Sequence, residues 1–545
     1  MHKSVLLAFL LAACASSSTP PVSSAPEPLP SPIGRVGPPV PPTATFTTPP
    51  DDWQLLDAAT DGVQGTGVRR AERELLQGRR PARTVVVAVI DGGIDTAHAD
   101  LRAQLWSNPK EVAANGKDDD GDGLVDDTFG WNYLGGADGR SVHVDTIELT
   151  REYRRCHRGG TATAPECAGI DSAYAAKSEE AKQEAAQLEQ VASVYDQVTT
   201  ILRKALPGDT LSVARVTALS SPNDTVTAAR DLYLRLAAAG VTESELKEAV
   251  TDAQNTLKFG LNPEYDPRST IVRDDESNVA QRTYGNRDVT GPDASHGTHV
   301  AGIIGAVRGN AGMDGIAVNV KLMSVRAVPD GDEHDKDVAN AIRYAVDHGA
   351  QVINMSFGKG YSPQKQAVDD AVKYADQHGV LMIHASGNDG EDLSRAKNFP
   401  SPVYLDGGRA ANWIEVGASS WKGGDQLAAS FSNYGKAEVD LFAPGVDILS
   451  TIPGGGWDRK SGTSMASPVV TGVAAMLLSY FPKLTGSEVK RILLQSAARY
   501  PEQMVARPGA PDGSKVRFGD LSATGGVVDA YAAVRTALAM ERSTP

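Results

Sequence analysis

The segment Thr84-Val85-Val86-Val87-Ala88-Val89-Ile90 is apolar almost throughout, rich in β-branched side chains, and shows no alternation with polar positions. Such a run suits a strand buried on both faces, as in a parallel sheet covered by two layers of helix. Comparable runs recur at 320–328, 352–357, 380–385, 413–418 and 439–442. Helical stretches separate several of them, at 336–348, 364–378 and 464–481. Strands alternating with helices predict an α/β sandwich, with helices on both faces of a mostly parallel sheet. Thr485-Gly486-Ser487-Glu488 has the form of a capping box and opens one more helix, to about residue 498.

A long stretch, 137–290, breaks this rhythm, and its middle is helical. Val191, Val194, Tyr195, Val198, Ile201, Leu202 and Ala205 recur at helical spacing, opposite a Glu/Lys face. Residues 225–239 give a second helix, stopped by Gly240. Thr242-Glu243-Ser244-Glu245 starts a third, which carries Leu246, Ala249, Val250, Ala253 and Leu257. The pattern predicts an inserted, largely helical subdomain. Its apolar stripes form either its own core or a lid or partner surface.

At the N-terminus, His2-Lys3 and the apolar run 5–13 make a targeting segment too short to span a bilayer. No other stretch reads as long and apolar enough to span one. Residues 15–50 hold twelve prolines, which makes an extended tether without a core. Residues 51–83 follow as a short N-terminal extension, with a helix-like stretch at 68–76.

Composition narrows the function classes. The 545 residues are 41% apolar and 22% charged, as in ordinary globular proteins, and the formal net charge is -15. That balance argues against nucleic acid as a partner, because phosphate binding needs a basic stripe.

Three blocks carry chemistry: Val89-Ile90-Asp91-Gly92-Gly93, His296-Gly297-Thr298-His299-Val300-Ala301-Gly302, and Gly462-Thr463-Ser464-Met465-Ala466-Ser467-Pro468. Asp91 ends a buried strand, at the edge where open α/β sheets place their sites. Ser464 opens a long apolar helix, so its backbone N–H and the helix dipole sit where an oxyanion would form. Pro468 suits the first turn of that helix. A Ser hydroxyl becomes a nucleophile when a neighbouring base takes its proton. His296 can be that base, with Asp91 orienting its imidazolium. His299 is three residues from His296 with no Glu between, unlike the pair on a zinc-protease helix. It reads as a hydrogen-bonded structural histidine. The Gly-x-Ser-x-Gly elbow and the Ser, Asp, His order of α/β hydrolases are both missing.

In the chain order Asp, His, Ser, on an alternating strand–helix chain, these blocks resemble the subtilisin-like serine proteases (subtilases, peptidase family S8). The resemblance implies a subtilisin-like three-layer sandwich at 84–136 and 291–540. It implies a serine endopeptidase with an Asp91-His296-Ser464 triad, an acyl-enzyme intermediate and no cofactor for catalysis. Ala385-Ser386-Gly387-Asn388 resembles the family's oxyanion block, which makes Asn388 the side-chain donor beside the Ser464 N–H. Ser356-Phe357-Gly358 resembles the edge that pairs with an extended substrate, and Ala385, Ser386 and Gly387 one wall of the pocket for the residue before the cut. Backbone pairing gives affinity with little sequence choice, so the partners are proteins and peptides cut broadly. Phe399-Pro400 resembles a position that holds a cis proline. Two features depart from the family. Gly92 stands where Ser or Thr is common, and about thirty residues before position 84 are too few for the usual folding-assisting prodomain. The competing reading is a catalytically silent subtilase used as a surface binding module.

Further expectations come from other segments of the chain. Asp118, Asp120, Asp122 and Asp126 fit positions 1, 3, 5 and 9 of a calcium loop with Gly123 at 6, although position 12 is Phe129. The segment instead resembles an acidic Asn-Gly-x-Asp-Asp-Asp-x-x-Gly loop of bacterial subtilases, and holds structural calcium or is a solvated acidic loop. Leu11-Ala12-Ala13-Cys14 resembles a bacterial lipobox. It implies removal of a signal peptide, 1–13, and lipidation of Cys14, with the tether 14–50 anchored to an outer membrane or cell surface. The plainer reading is an ordinary secretory signal. Cys156 and Cys167 remain as an even pair, a disulfide in an oxidising compartment or two free thiols. The protein is expected to be a monomer.

Overall fold

The structure is a computed structural model that describes residues 48–158, 164–206, 208, 211–238, 241–309 and 312–543. The targeting segment, Cys14, nearly all of the tether and Gly240 lie outside the described residues. The chain divides into two compact units, one built on 144–266 and the other on the remainder of the described chain.

The larger unit is built on one sheet. Its main strands are β1 (Val85–Asp91), β2 (Gly130–Asn132), β3 (Val320–Arg326), β4 (Val352–Met355), β5 (Leu381–Ala385), β6 (Trp413–Ser419) and β7 (Leu441–Pro444). They lie in the order β2-β3-β1-β4-β5-β6-β7, and every pair is parallel. Gly526–Val527 and Ala498–Arg499 extend the sheet past β7, the last of them antiparallel. A hairpin, β8 (Ile448–Ile452) with β9 (Gly456–Lys460), stands apart from it.

The sequence forms this sheet because both faces of its strands are covered. Val85, Val87 and Val89 of β1 enter one apolar cluster, while Ala88 and Ile90 enter the other. Val320 and Leu322 of β3 face the first cluster, Met323 and Val325 the second. Side chains alternate between faces, yet no polar alternation appears in the sequence, because neither face meets water. The helices are α1 (Val68–Glu74), α2 (Ser295–Gly305), α3 (Asp335–Asp347), α4 (Lys365–Gln377), α5 (Thr463–Tyr480), α6 (Gly486–Ser496) and α7 (Ala530–Ser543). Those with residues in the first cluster are α1, α2, α5, α6 and α7, whereas α3 and α4 supply the second. The result is a three-layer α/β sandwich. The capping box forms as expected: Glu488 N–H donates to Thr485 Oγ1 at 3.3 Å and Thr485 N–H to Glu488 Oε2 at 2.9 Å.

Three findings differ from the sequence reading. First, α5 is long and apolar enough to cross a membrane, but it is 94% buried inside the unit. It is the central core helix, since its Ala, Val and Leu residues pack all round. Second, residues from Trp53 onward belong to the same core as the sheet. Trp53 and Leu55 are fully buried, and Trp53 Nε1 donates to the Val446 carbonyl at 3.1 Å.

Third, the compact helical unit is narrower than 137–290. Residues after Asp266 are held in the larger unit by buried charge. Arg268 donates to both Asp337 oxygens at 2.7 and 2.9 Å and to Asp274 at 2.7 Å, and Lys336 donates to Asp274 at 2.6 Å.

The smaller unit is helical. Glu148–His157, Ala164–Ala205, Val213–Thr217, Asp224–Ala238 and Glu243–Asn255 are α-helices. Ala164–Ala205 has 42 residues and, at 1.5 Å per residue, is about 63 Å long. Tyr195, Val198, Leu202, Leu246, Ala249 and Ala253 are buried together in its own core, while Val194 is exposed. Cys156 and Cys167 are joined by a disulfide with Cα atoms 5.6 Å apart, tying the first of these helices to the second.

Candidate active site

β1 delivers Asp91 at its carboxyl end, 2% exposed. His296 is the second residue of α2, and its Nδ1 donates to Asp91 Oδ1 at 2.8 Å. Asp91 Oδ1 also accepts the Gly92 N–H at 2.8 Å, while Asp91 Oδ2 is buried with no hydrogen-bond partner among the described residues. With Nδ1 committed to the carboxylate, Nε2 is the basic nitrogen of the ring. This contact demands close approach of α2 to β1. A Cβ on Gly297 would stand 2.2 Å from the Gly93 carbonyl oxygen and 3.0 Å from Asp91 Oδ1, so only glycine fits after His296.

Ser464 is the second residue of α5 and 3% exposed. Its hydroxyl donates to the Ser356 carbonyl at 3.2 Å, and the Ser356 hydroxyl donates back to the Ser464 carbonyl at 3.0 Å. Pro468 explains the second bond. It falls in the second turn of α5, not the first as the sequence reading has it. A proline there removes the N–H that would reach the carbonyl four residues earlier. That carbonyl belongs to Ser464, and the Ser356 hydroxyl takes the missing donor's place.

The Asn388 side-chain amide and the Ser464 backbone N border one hollow. Asn388 Oδ1 accepts the Thr463 N–H at 2.8 Å and the Thr463 hydroxyl at 2.9 Å, which fixes the amide so that Nδ2 points away from them. A Cβ built on Gly462 would lie 3.6 Å from Asn388 Nδ2 and 3.6 Å from the Ser464 backbone N. The space that this missing Cβ leaves is therefore bordered by both donors.

Asn433, which the sequence reading overlooked, holds the loop that carries Asn388. Its Nδ2 donates to the Ser386 carbonyl at 3.0 Å, and its Oδ1 accepts the N–H groups of Asp389 and Glu391 at 3.0 and 2.8 Å. Nothing local in the sequence marks it, because its partners lie some forty residues away.

The substrate-edge candidates sit on adjacent strands. Ser356, Phe357 and Gly358 follow β4, and Ala385, Ser386 and Gly387 end or follow β5, its parallel neighbour. Asn398 Nδ2 donates to the Ala385 carbonyl at 3.1 Å, and the Phe399-Pro400 peptide bond is cis. His299 is fully buried. Its Nε2 lies 3.1 Å from both the Ile448 and Asp458 carbonyl oxygens, and burial, aided by Lys460, lowers its pKa to about 3.

The subtilase family profile matches residues 82–519. The chain is a subtilase. It is 34% identical over 269 residues to a subtilisin of Bacillus pumilus, covering 48% of this chain and 86% of that protein. It is 44% identical over 187 residues to a thermophilic serine proteinase of Bacillus sp. (strain AK1), covering 34% of this chain and 43% of that protein. It is 39% identical over 208 residues to a cell wall-associated protease of Bacillus subtilis (strain 168), covering 38% of this chain and 21% of that protein. The chain thus spans less than half the length of the last two relatives.

In this subtilase the acidic loop assembles differently from the predicted ligand set. Asp118 closes the loop on itself, accepting the Gly121 and Gly123 N–H groups at 2.6 and 2.8 Å. Asp126 accepts the Asn115 and Gly116 N–H groups at 2.9 and 3.0 Å and pairs with Arg287 at 2.5 Å. Asp120 and Asp122 likewise accept the Asp122 and Leu124 N–H groups at 3.2 and 2.8 Å. Asp120 and Asp122 converge with His348, and Asp120 also with Glu111 and Asp127, each group with ligand atoms within 4.8 Å of one another. Burial would lower the pKa of His348, but Asp122, the Tyr344 carbonyl and Asp127 raise it. Oxygen donors of this kind fit a hard cation such as calcium. Glu111, Asp127 and His348 were invisible to a positional template, because they come from outside its spacing.

Proposed function

We propose that this subtilase is an active serine endopeptidase acting on extracellular or envelope proteins, with Asp91, His296 and Ser464 as its triad. The Ser464 hydroxyl turns from the Ser356 carbonyl and yields its proton to His296 Nε2. Its Oγ attacks the scissile carbonyl, and Asp91 stabilises the imidazolium that results. The oxyanion occupies the hollow at Gly462, taking hydrogen bonds from the Ser464 N–H and Asn388 Nδ2. His296 then protonates the leaving amine, and water, activated by the same base, hydrolyses the acyl-enzyme.

The observation that carries this reading is that Asn388 Nδ2 and the Ser464 backbone N both border the hollow at Gly462. A silent binding module has no use for a preset oxyanion site. Casein hydrolysis and fluorophosphonate labelling by the wild type, both absent from Ser464→Ala, are the expected outcome. Equal hydrolysis or labelling in the two proteins would sink the assignment.

Two accessory features belong to the same proposal. Calcium bound by Glu111, Asp120 and Asp127 would steady the acidic loop, with no part in the reaction. Millimolar calcium should then raise the melting temperature over that in chelator, and an unchanged value would exclude it. Lipidated Cys14 would anchor the protein to an outer membrane or cell surface. The wild type should fractionate with membranes and Cys14→Ser should not.

A further inference from the structure

β5 carries one ionisable residue, His384, and it is fully buried. Glu415 stands directly across from it in the register of β6. The two side chains meet: His384 Nδ1 lies 2.9 and 3.1 Å from the two Glu415 oxygens, and Trp413 Nε1 donates to Glu415 Oε2 at 2.8 Å. On its other side, His384 Nε2 lies 2.8 Å from the Phe357 carbonyl oxygen. A carbonyl only accepts, so Nε2 carries a proton and donates it. Glu415 holds Nδ1, and wherever the second proton of that contact resides, Nε2–H faces Phe357.

Burying a carboxylate and an imidazole costs free energy that apolar residues at 384 and 415 would avoid. The effect of the pair therefore lies in what it holds. Phe357 is the middle residue of Ser356-Phe357-Gly358. In an extended segment, successive carbonyls point to opposite sides. The Ser356 carbonyl faces Ser464, whose hydroxyl it accepts, and the Phe357 carbonyl faces inward to His384. We infer that His384, held by Glu415, is a positioning residue: it clamps the inward Phe357 carbonyl and thereby presents the outward backbone of Ser356 and Gly358 to a substrate strand. The inference rests on the reading of 356–358 as the substrate edge of a peptidase.

The test measures binding, so that it does not depend on turnover. Full-length Ser464→Ala protein is titrated with β-casein, alone and with a second substitution. An Asn side chain reaches only the Nδ1 position of histidine, whereas Gln reaches Nε2. His384→Asn should weaken casein binding about tenfold, as loss of one buried hydrogen bond implies. His384→Gln should return it to within about threefold of the parent. Glu415→Gln, which keeps the shape of the side chain, should weaken it about threefold at an unchanged melting temperature, and serves if His384→Asn does not fold. The inference is overturned if the parent does not bind casein, if His384→Asn or its substitute Glu415→Gln binds as the parent does, or if the Asn and Gln variants weaken alike. Casein hydrolysis by the wild type decides the peptidase reading separately.

Discussion

Pro468 and Ser356 form a matched pair, one removing a donor from the Ser464 carbonyl and the other replacing it. Ser356→Ala should leave that buried carbonyl unsatisfied and cost about 1–3 kcal/mol. Turnover should fall as well, because the same bond steadies the backbone of the nucleophile. Pro468→Ala restores an N–H four residues after Ser464, so the double variant should regain most of the lost stability. Denaturant unfolding of the four proteins gives the coupling directly, and strictly additive effects would contradict the pairing. At this scale the pairing of Asp91 with His296 was legible, because each lies in a short contiguous block whose neighbours serve the same contact. Asn433, Glu111 and His348 were not, since their partners are distant in sequence. Asp118 and Asp126 fit the spacing of a calcium loop, but the groups of converging ligand atoms among the described residues are Asp120 and Asp122 with His348, and Asp120 with Glu111 and Asp127.

His299 joins two elements, α2 and the β8–β9 hairpin, through the Ile448 and Asp458 carbonyls. Burial depresses its pKa to about 3, whereas in the unfolded chain it titrates near the ordinary histidine value of about 6.5. Between those values the unfolded state binds the extra proton. The stability it contributes is therefore complete above pH 6.5 and declines as the pH falls toward 3. Between pH 7 and pH 5 the loss should be about 2 kcal/mol from this residue. His299→Gln keeps a donor without the titration, so its stability difference between the two pH values should be smaller by that amount. Identical pH dependence in both proteins would refute the assignment. Elements buried on both faces were legible from their unbroken apolar runs, and β1, β3, β5 and β6 begin and end within a few residues of the expected limits. The first helix of the smaller unit, Glu148–His157, was not, since it is mostly polar and its buried residues include Glu148, Thr150, Arg151 and Glu152.

The larger unit takes the stretch from Trp53 to Leu76 into its own core, and this bears on how the enzyme matures. Residues before Thr84 occupy the position of a prodomain but do not behave as a detachable one. Trp53, Leu55, Val63, Val68 and Ala71 are buried in the sheet's own core. The Ala530 N–H donates to the Thr66 carbonyl at 2.8 Å, the Ala82 N–H to the Ser479 carbonyl at 2.8 Å, and Tyr500 to Gln64 at 2.8 Å. Burying a large apolar side chain is worth about 1.5–3 kcal/mol. Exposing the four large ones, Trp53, Leu55, Val63 and Val68, would thus cost on the order of 10 kcal/mol, comparable with the whole stability of a typical domain. Cleavage at the usual junction, just before β1, should therefore unfold the protein, and a protein begun at Thr84 should yield no cooperative transition. Mass spectrometry of the active enzyme should find its N-terminus at or before Trp53. An active, folded species beginning at Thr84 would show instead that the extension assists folding and then leaves. The buried positions of Trp53 and Leu55 argue that any activating cleavage falls upstream of them, so that maturation leaves the catalytic sandwich and its N-terminal extension as one piece.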